Sequence, residues 1–174
     1  METQKRKTII REIMNNLENQ EILGDDIIVA IVLIQQKCPE AVFGGSIALN
    51  AVGLLNRKIS DIDLFFSDKN SYKLKEGFLT IPTTEVLSDT VTDTNGKLIQ
   101  RIGLIVNGIK VCGFKVGDEE LQHSQVTIHR NNINITIKIQ NVNFAIQAKI
   151  AYKFKNEKHQ IDLENINKVF NDIF

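Results

Sequence analysis

The chain has 174 residues, enough for one domain with a substantial core, and its 21 lysines and arginines balance 21 aspartates and glutamates. That zero formal charge excludes an overall basic field of the kind that gathers nucleic acid, while leaving room for a local basic face. With 43% hydrophobic and 24% charged residues, the composition is that of an ordinary globular protein.

The two cysteines, Cys38 and Cys112, give neither a disulfide framework nor a metal-ligand spacing. Cys112 sits in an apolar run and reads as a buried thiol, which favours a reducing compartment. The opening METQKRKTIIREI alternates charge with apolar residues and lacks the continuous apolar stretch of a signal peptide. The longest apolar run, from Ile27 to Ile34, is far too short to span a bilayer. These features predict a cytoplasmic protein with no membrane partner.

In chain order, residues 6–19 place Ile9, Ile10, Ile13, Met14 and Leu17 at helical spacing. A second helix is expected after the Gly24 break, running to about Gln36 and ended by Cys38-Pro39. Residues 41–43 predict a short buried strand leading into Gly44 and Gly45, and a helix follows from Ser46, whose hydroxyl can cap it, to about Val52. Residues 62–66 predict the next strand. The middle, about 78–116, reads as β-rich, with a turn at 93–96 and a hairpin signal at Asn107-Gly108. Strands near 125–129 and 133–140 flank Asn131-Asn132, and 144–174 predict two helices broken around Asn156. No repeat or linker divides the chain. The expectation is a single α+β domain over 1–174, with N-terminal helices (1–37), a small mixed sheet (40–140) and C-terminal helices (143–174).

Chemistry concentrates in residues 43–66. Residues two apart on a strand share a face, so Asp61 and Asp63 are expected side by side while Ile62 and Leu64 enter the core. Close carboxylates repel each other unless a cation lies between them, and such an oxygen pair suits Mg²⁺ or Mn²⁺. Upstream, Gly44, Gly45 and Ser46 form a turn that lets backbone approach a triphosphate. Each motif alone is most often turn or cap chemistry; their order within one short segment is harder to obtain that way. His123, His129 and His159 show no metal or nucleophile spacing and read as surface or packing residues.

This segment resembles the signature of the DNA polymerase β-like nucleotidyltransferase superfamily. It is most similar to minimal nucleotidyltransferase-like proteins, including the AbiEii/AbiGii toxin family of bacterial phage-defence and toxin–antitoxin systems. The shared elements are Gly44-Gly45-Ser46, Ala48-Leu49, Arg57, and Asp61 to Phe65. The resemblance implies a nucleotidyltransferase-like fold and Mg²⁺-dependent transfer of a nucleoside monophosphate from an NTP to a hydroxyl. The acceptor stays open among RNA, protein and small molecule, and a cognate antitoxin is the implied protein partner. It implies Asp61 and Asp63 as catalytic metal ligands. It also implies Gly44, Gly45, Ser46, Arg57, Lys149 and Lys158 as nucleotide-binding residues, with Asp162 a structural or polar partner in the site. For the lysines, a solvated helix face is an equal alternative. The chain departs from the family at the third carboxylate, where Cys112 or Gly113 stands; Asp118, Glu119 or Glu120 could replace it from a loop. The alternative is a catalytically degenerate fold that binds a nucleotide or a partner.

Overall fold

The structure is a computed structural model that describes residues 23–67, 76–77, 80–81, 83–92, 96–130 and 132–173, with backbone alone for 83–92, 120, 172 and 173. The helix expected over 6–19 lies outside the described residues, as do residues 93–95 of the expected turn. Helix α1 (Asp25–Lys37) turns Ile27, Ile31 and Ile34 to one side, at the three- and four-residue spacing that makes a helix amphipathic. Asp25 and Asp26 suit its positive end, Lys37 its negative end, and it stops at Cys38 before the proline. Strand β1 (Val42–Gly44) leads into the short helix α2 (Gly45–Ala51), and β2 (Asp61–Phe66) returns beside β1.

Strands β3 (Thr83–Thr92), β4 (Leu98–Val106) and β5 (Ile109–Lys115) form a meander. Its second turn has Asn107 at φ +51° and Gly108 at φ +77°, the two left-handed residues that Asn-Gly supplies. A single 3-10 turn (Asp118–Leu121) leads to β6 (His123–Arg130) and β7 (Ile133–Gln140), followed by α3 (Val142–Tyr152) and α4 (Glu157–Ile173). The side chain of Asn141 accepts from the Asn143 amide at the start of α3, and that of Asn156 accepts from the Lys158 amide at the start of α4. The break at Asn156 is therefore a helix cap.

The seven strands make one mixed sheet in the order β3-β4-β5-β2-β1-β7-β6, larger than the small sheet the sequence suggested. The parallel pairs β2–β5 and β1–β7 occupy its middle. One face carries Ile62, Leu64, Phe66, Leu104, Val111, Ile137 and Ile139, which join the α1 isoleucines in the main core. A second apolar cluster of Leu49, Leu54, Leu55, Ala145 and Ile166 joins the α2 region to α3 and α4. The result is an α+β architecture. Among the described residues, no helix is long and apolar enough to cross a membrane.

Candidate functional site

Strand β2 starts at Asp61, one residue before the sequence suggested, and its burial alternates along the strand. Ile62 and Leu64 are buried, while Asp61 and Asp63 stay partly exposed on the opposite face. Register then fixes their neighbours. Asp61 pairs with Lys110 and Asp63 with Cys112 on β5, while Gly44 of β1 pairs with Asp63 from the other side. The glycine turn and the carboxylate pair thus meet at one level of the sheet.

Gly45 is the closest joint between them. Its φ is +53°, a conformation that side-chain-bearing residues rarely adopt, and a Cβ placed there would lie 2.5 Å from Asp63 Oδ2. Gly44 needs its bareness too, because a Cβ would run into the ring of Phe65 and come 2.9 Å from Gln140 Oε1. That buried carboxamide oxygen has no hydrogen-bond partner among the described residues, so a bound donor would satisfy it. Gly45→Ala is expected to lose about 1–3 kcal/mol of stability from backbone strain together with the collision at Asp63. Urea denaturation checks this, and an unchanged midpoint would mean that the turn tolerates a side chain.

Burial first, and then the charge of Asp61, push the Asp63 carboxyl up from 3.8 to about 6. Lys149, Lys158 and Lys110 act against that rise, which places three cations within electrostatic reach of the pair. The carboxylates are hard oxygen donors whose repulsion a divalent cation would relieve, so the donor set fits Mg²⁺ or Mn²⁺. Among the described residues no group of three or more His, Cys, Asp or Glu side chains is arranged to hold a metal ion.

Ser46 does not cap α2 as the sequence suggested. The helix starts one residue earlier, with Gly44 in the capping position, because Gly45 alone can make the left-handed turn. The Ser46 hydroxyl instead accepts from Arg57 Nη2 at 3.2 Å. Arg57 arrives there because α2 ends at once: Gly53 takes φ +82°, and Asn50 Nδ2 donates to the Leu55 carbonyl at 3.0 Å. Its guanidinium grips Asp162 in a fork, Nε to Oδ1 at 2.6 Å and Nη2 to Oδ2 at 2.7 Å. Lys149 Nζ completes the group, donating to Asp162 Oδ2 at 2.7 Å.

Asp162 is fully buried, and burial by itself raises its pKa. The hydrogen bonds and charges of Arg57 and Lys149 outweigh that, leaving the carboxyl below its ordinary value. Lys149 and Arg57 are therefore committed to a buried carboxylate, and Lys158 is the partly exposed lysine left on the same corner. Beside them, His159 has its pKa lowered by burial and then by Lys149, and its Nδ1 is buried with no partner among the described residues.

Register also decides between the two residues standing where a third acid was expected. Cys112 shares the face of Asp63, whereas Gly113 pairs with Leu64 on the core-facing side. The Cys112 thiol is pushed up by burial and then by Asp63, so it stays protonated at neutral pH. Asp118 and Glu119 are exposed in the 3-10 turn beyond the far end of β5, and Glu120 has no described side chain. The triad of Arg57, Lys149 and Asp162 joins residues 105 and 13 positions apart; the resemblance implied all three in one site, and the folded chain shows that Arg57 and Lys149 bind Asp162 directly.

Compared with protein-family models, curated proteins and solved structures, the chain matches none of them.

Proposed function

We propose that the chain is a nucleotidyltransferase-like protein that binds a divalent cation and an NTP and passes the nucleoside monophosphate to a hydroxyl. One observation carries this reading: Gly45, in a left-handed conformation, packs against Asp63 while Asp61 shares the same open face. Asp61 and Asp63 would hold Mg²⁺ or Mn²⁺, which when bound neutralises phosphate charge and polarises the phosphorus under attack. Gly44 and Gly45 let the phosphates approach the backbone, beside the free amides of the first turn of α2. Lys158 and Lys110 supply positive charge around the pair, as their effect on Asp63 indicates. Arg57 and Lys149 act through Asp162, holding α4 and the Ser46 turn together. The toxin-type resemblance adds a cognate antitoxin and an RNA, protein or small-molecule acceptor to this reading.

A second reading has its own observation. Cys112, the residue beside Asp63, is a buried, protonated thiol that takes no proton from an attacking hydroxyl. On that ground the chain is a degenerate member that binds Mg²⁺–NTP without turnover. The experiment is a thermal-shift titration with Mg²⁺ and each NTP, followed by incubation with α-phosphate-labelled NTP. The native chain is expected to gain several degrees with Mg²⁺ and NTP together, through selective binding to the folded state. An Asp61→Asn/Asp63→Asn variant is expected to gain nothing. Equal shifts in both proteins would remove the site, and shift without labelling would select the second reading.

A further inference from the structure

The open face of the sheet continues past the aspartates onto β5 and β4. Register sets Gly103 opposite Cys112, and Cys112 opposite Asp63, so a row of two small residues on β4 and β5 leads up to the Asp63 carboxylate on β2 at one level. Two residues further along each strand, Phe114 pairs with Phe65 on the same face. Their rings stack with centroids 5.8 Å apart and planes 28° from parallel, and both remain partly exposed. On the other side of the small row, Lys110 stands exposed beside Asp61.

Same-face rows two residues apart are separated by about 7 Å along the strands. That is the spacing at which aromatic rings contact one another, by stacking or by edge. Gly103 is partly exposed and presents no side chain, and Cys112 presents only a short, buried thiol, so this row stands lower than the ring of Phe114. A lysine ammonium at its far edge suits a polar or anionic substituent. Phe65 and Phe114 lie on the parallel β2–β5 pair in the middle of the sheet, and their half-exposed rings offer a flat apolar surface beside the row of Gly103 and Cys112.

We propose that this strip, from Gly103 to Asp63 along the Phe65–Phe114 pair, is a binding site for a planar heteroaromatic ring, the base of a nucleoside. It rests on the nucleotidyl-transfer reading only in taking the ring to belong to a nucleotide substrate. The base comes from the donor NTP or from a nucleoside at the end of the acceptor, and both present the same stacking chemistry.

Equilibrium binding in Mg²⁺ separates these cases, using inorganic tripolyphosphate, the four NTPs and the four free nucleosides as probes. If the donor base occupies the strip, at least one NTP binds about tenfold or more tightly than tripolyphosphate, the size expected for one base on an aromatic side chain. Phe114→Leu and Gly103→Val then erase the difference and leave tripolyphosphate unchanged, while Phe114→Tyr retains it. If the acceptor base occupies it, NTPs and tripolyphosphate bind alike, and a free nucleoside binds with an affinity that Phe114→Leu and Gly103→Val abolish. Gly103→Val adds bulk without removing a core group, so it tests the strip even if the Phe114 variants unfold. Should tripolyphosphate fail to bind while nucleosides bind through Phe114, the ring site stands and the transferase reading falls. Base binding that is absent, or indifferent to both substitutions, overturns the proposal.

Discussion

Asp162→Ala is expected to destabilise the protein by about 3–5 kcal/mol, the cost of removing one partner from a buried ion group. Asp162 has no exposed side-chain surface, and it accepts two hydrogen bonds from Arg57 and one from Lys149. Lys149 is itself only 6% exposed, so the truncation strands an ammonium in a site that water barely reaches. Arg57, at 21%, can turn partly outward, which makes the lysine the larger loss. Asp162→Asn keeps an acceptor but not the charge, so it should fall between the native chain and Asp162→Ala. Because the Asp162 carboxyl is held below its ordinary pKa, its contribution is present above the unfolded value and lost as pH falls through the folded one. The penalty of the alanine variant should therefore be full at pH 7 and shrink in strong acid. Urea denaturation at both pH values decides it: a loss under about 1 kcal/mol at pH 7 would mean that the triad orients the site without holding the fold.

The local parts of this architecture were legible because local physics fixes them. The α1 stripe, the Asn107-Gly108 hairpin, the β6–β7 pair and the break at Asn156 each follow from periodicity or from one turn or cap residue. The shared face of Asp61 and Asp63 was legible for the same reason, since a strand has period two. What sequence could not order were contacts between distant segments. Nothing local tells β1 to sit between β2 and β7, or β5 to run parallel to β2. For that reason Cys112 and Gly113 could not be separated until the register placed one on each face. Ser46 looked like a cap by residue type, but Gly45 pre-empted it, and Arg57 claimed its hydroxyl. Arg57 and Lys149 were expected to meet nucleotide, and their direct pairing with Asp162 depends on contacts between elements, across 105 residues for Arg57 and between α3 and α4 for Lys149, that no local pattern orders.

Asp63→Asn is expected to make the metal-free protein more stable at neutral pH, by on the order of 2 kcal/mol, although it removes a site residue. The native carboxyl is raised to about 6, by burial and then by Asp61, from an ordinary value of 3.8. A raised acid binds its proton more tightly in the folded chain than in the unfolded one. Its favourable contribution is thus fully present below about pH 4 and is lost as pH climbs through 6. A rise of that size corresponds to roughly 3 kcal/mol at full strength, and the partial exposure of the side chain screens some of it. His159 works in the opposite sense. Its pKa is lowered, so its contribution is present at neutral pH and is lost as pH falls below its ordinary 6.5. The native chain therefore shows a flattened profile between pH 4 and 6.5, and the difference between native and Asp63→Asn isolates the aspartate. That difference should be near zero at pH 4 and fully developed by pH 7. Mg²⁺ then gives the second half of the test. A cation on the ionised pair stabilises the native fold at pH 7 and has little to hold at pH 4, whereas Asp63→Asn should respond weakly at both. Thermal midpoints of the two proteins across this pH range, with and without Mg²⁺, check each step. A native–variant difference that stays constant with pH would mean that Asp63 is ionised throughout, and that the pair is solvated rather than strained.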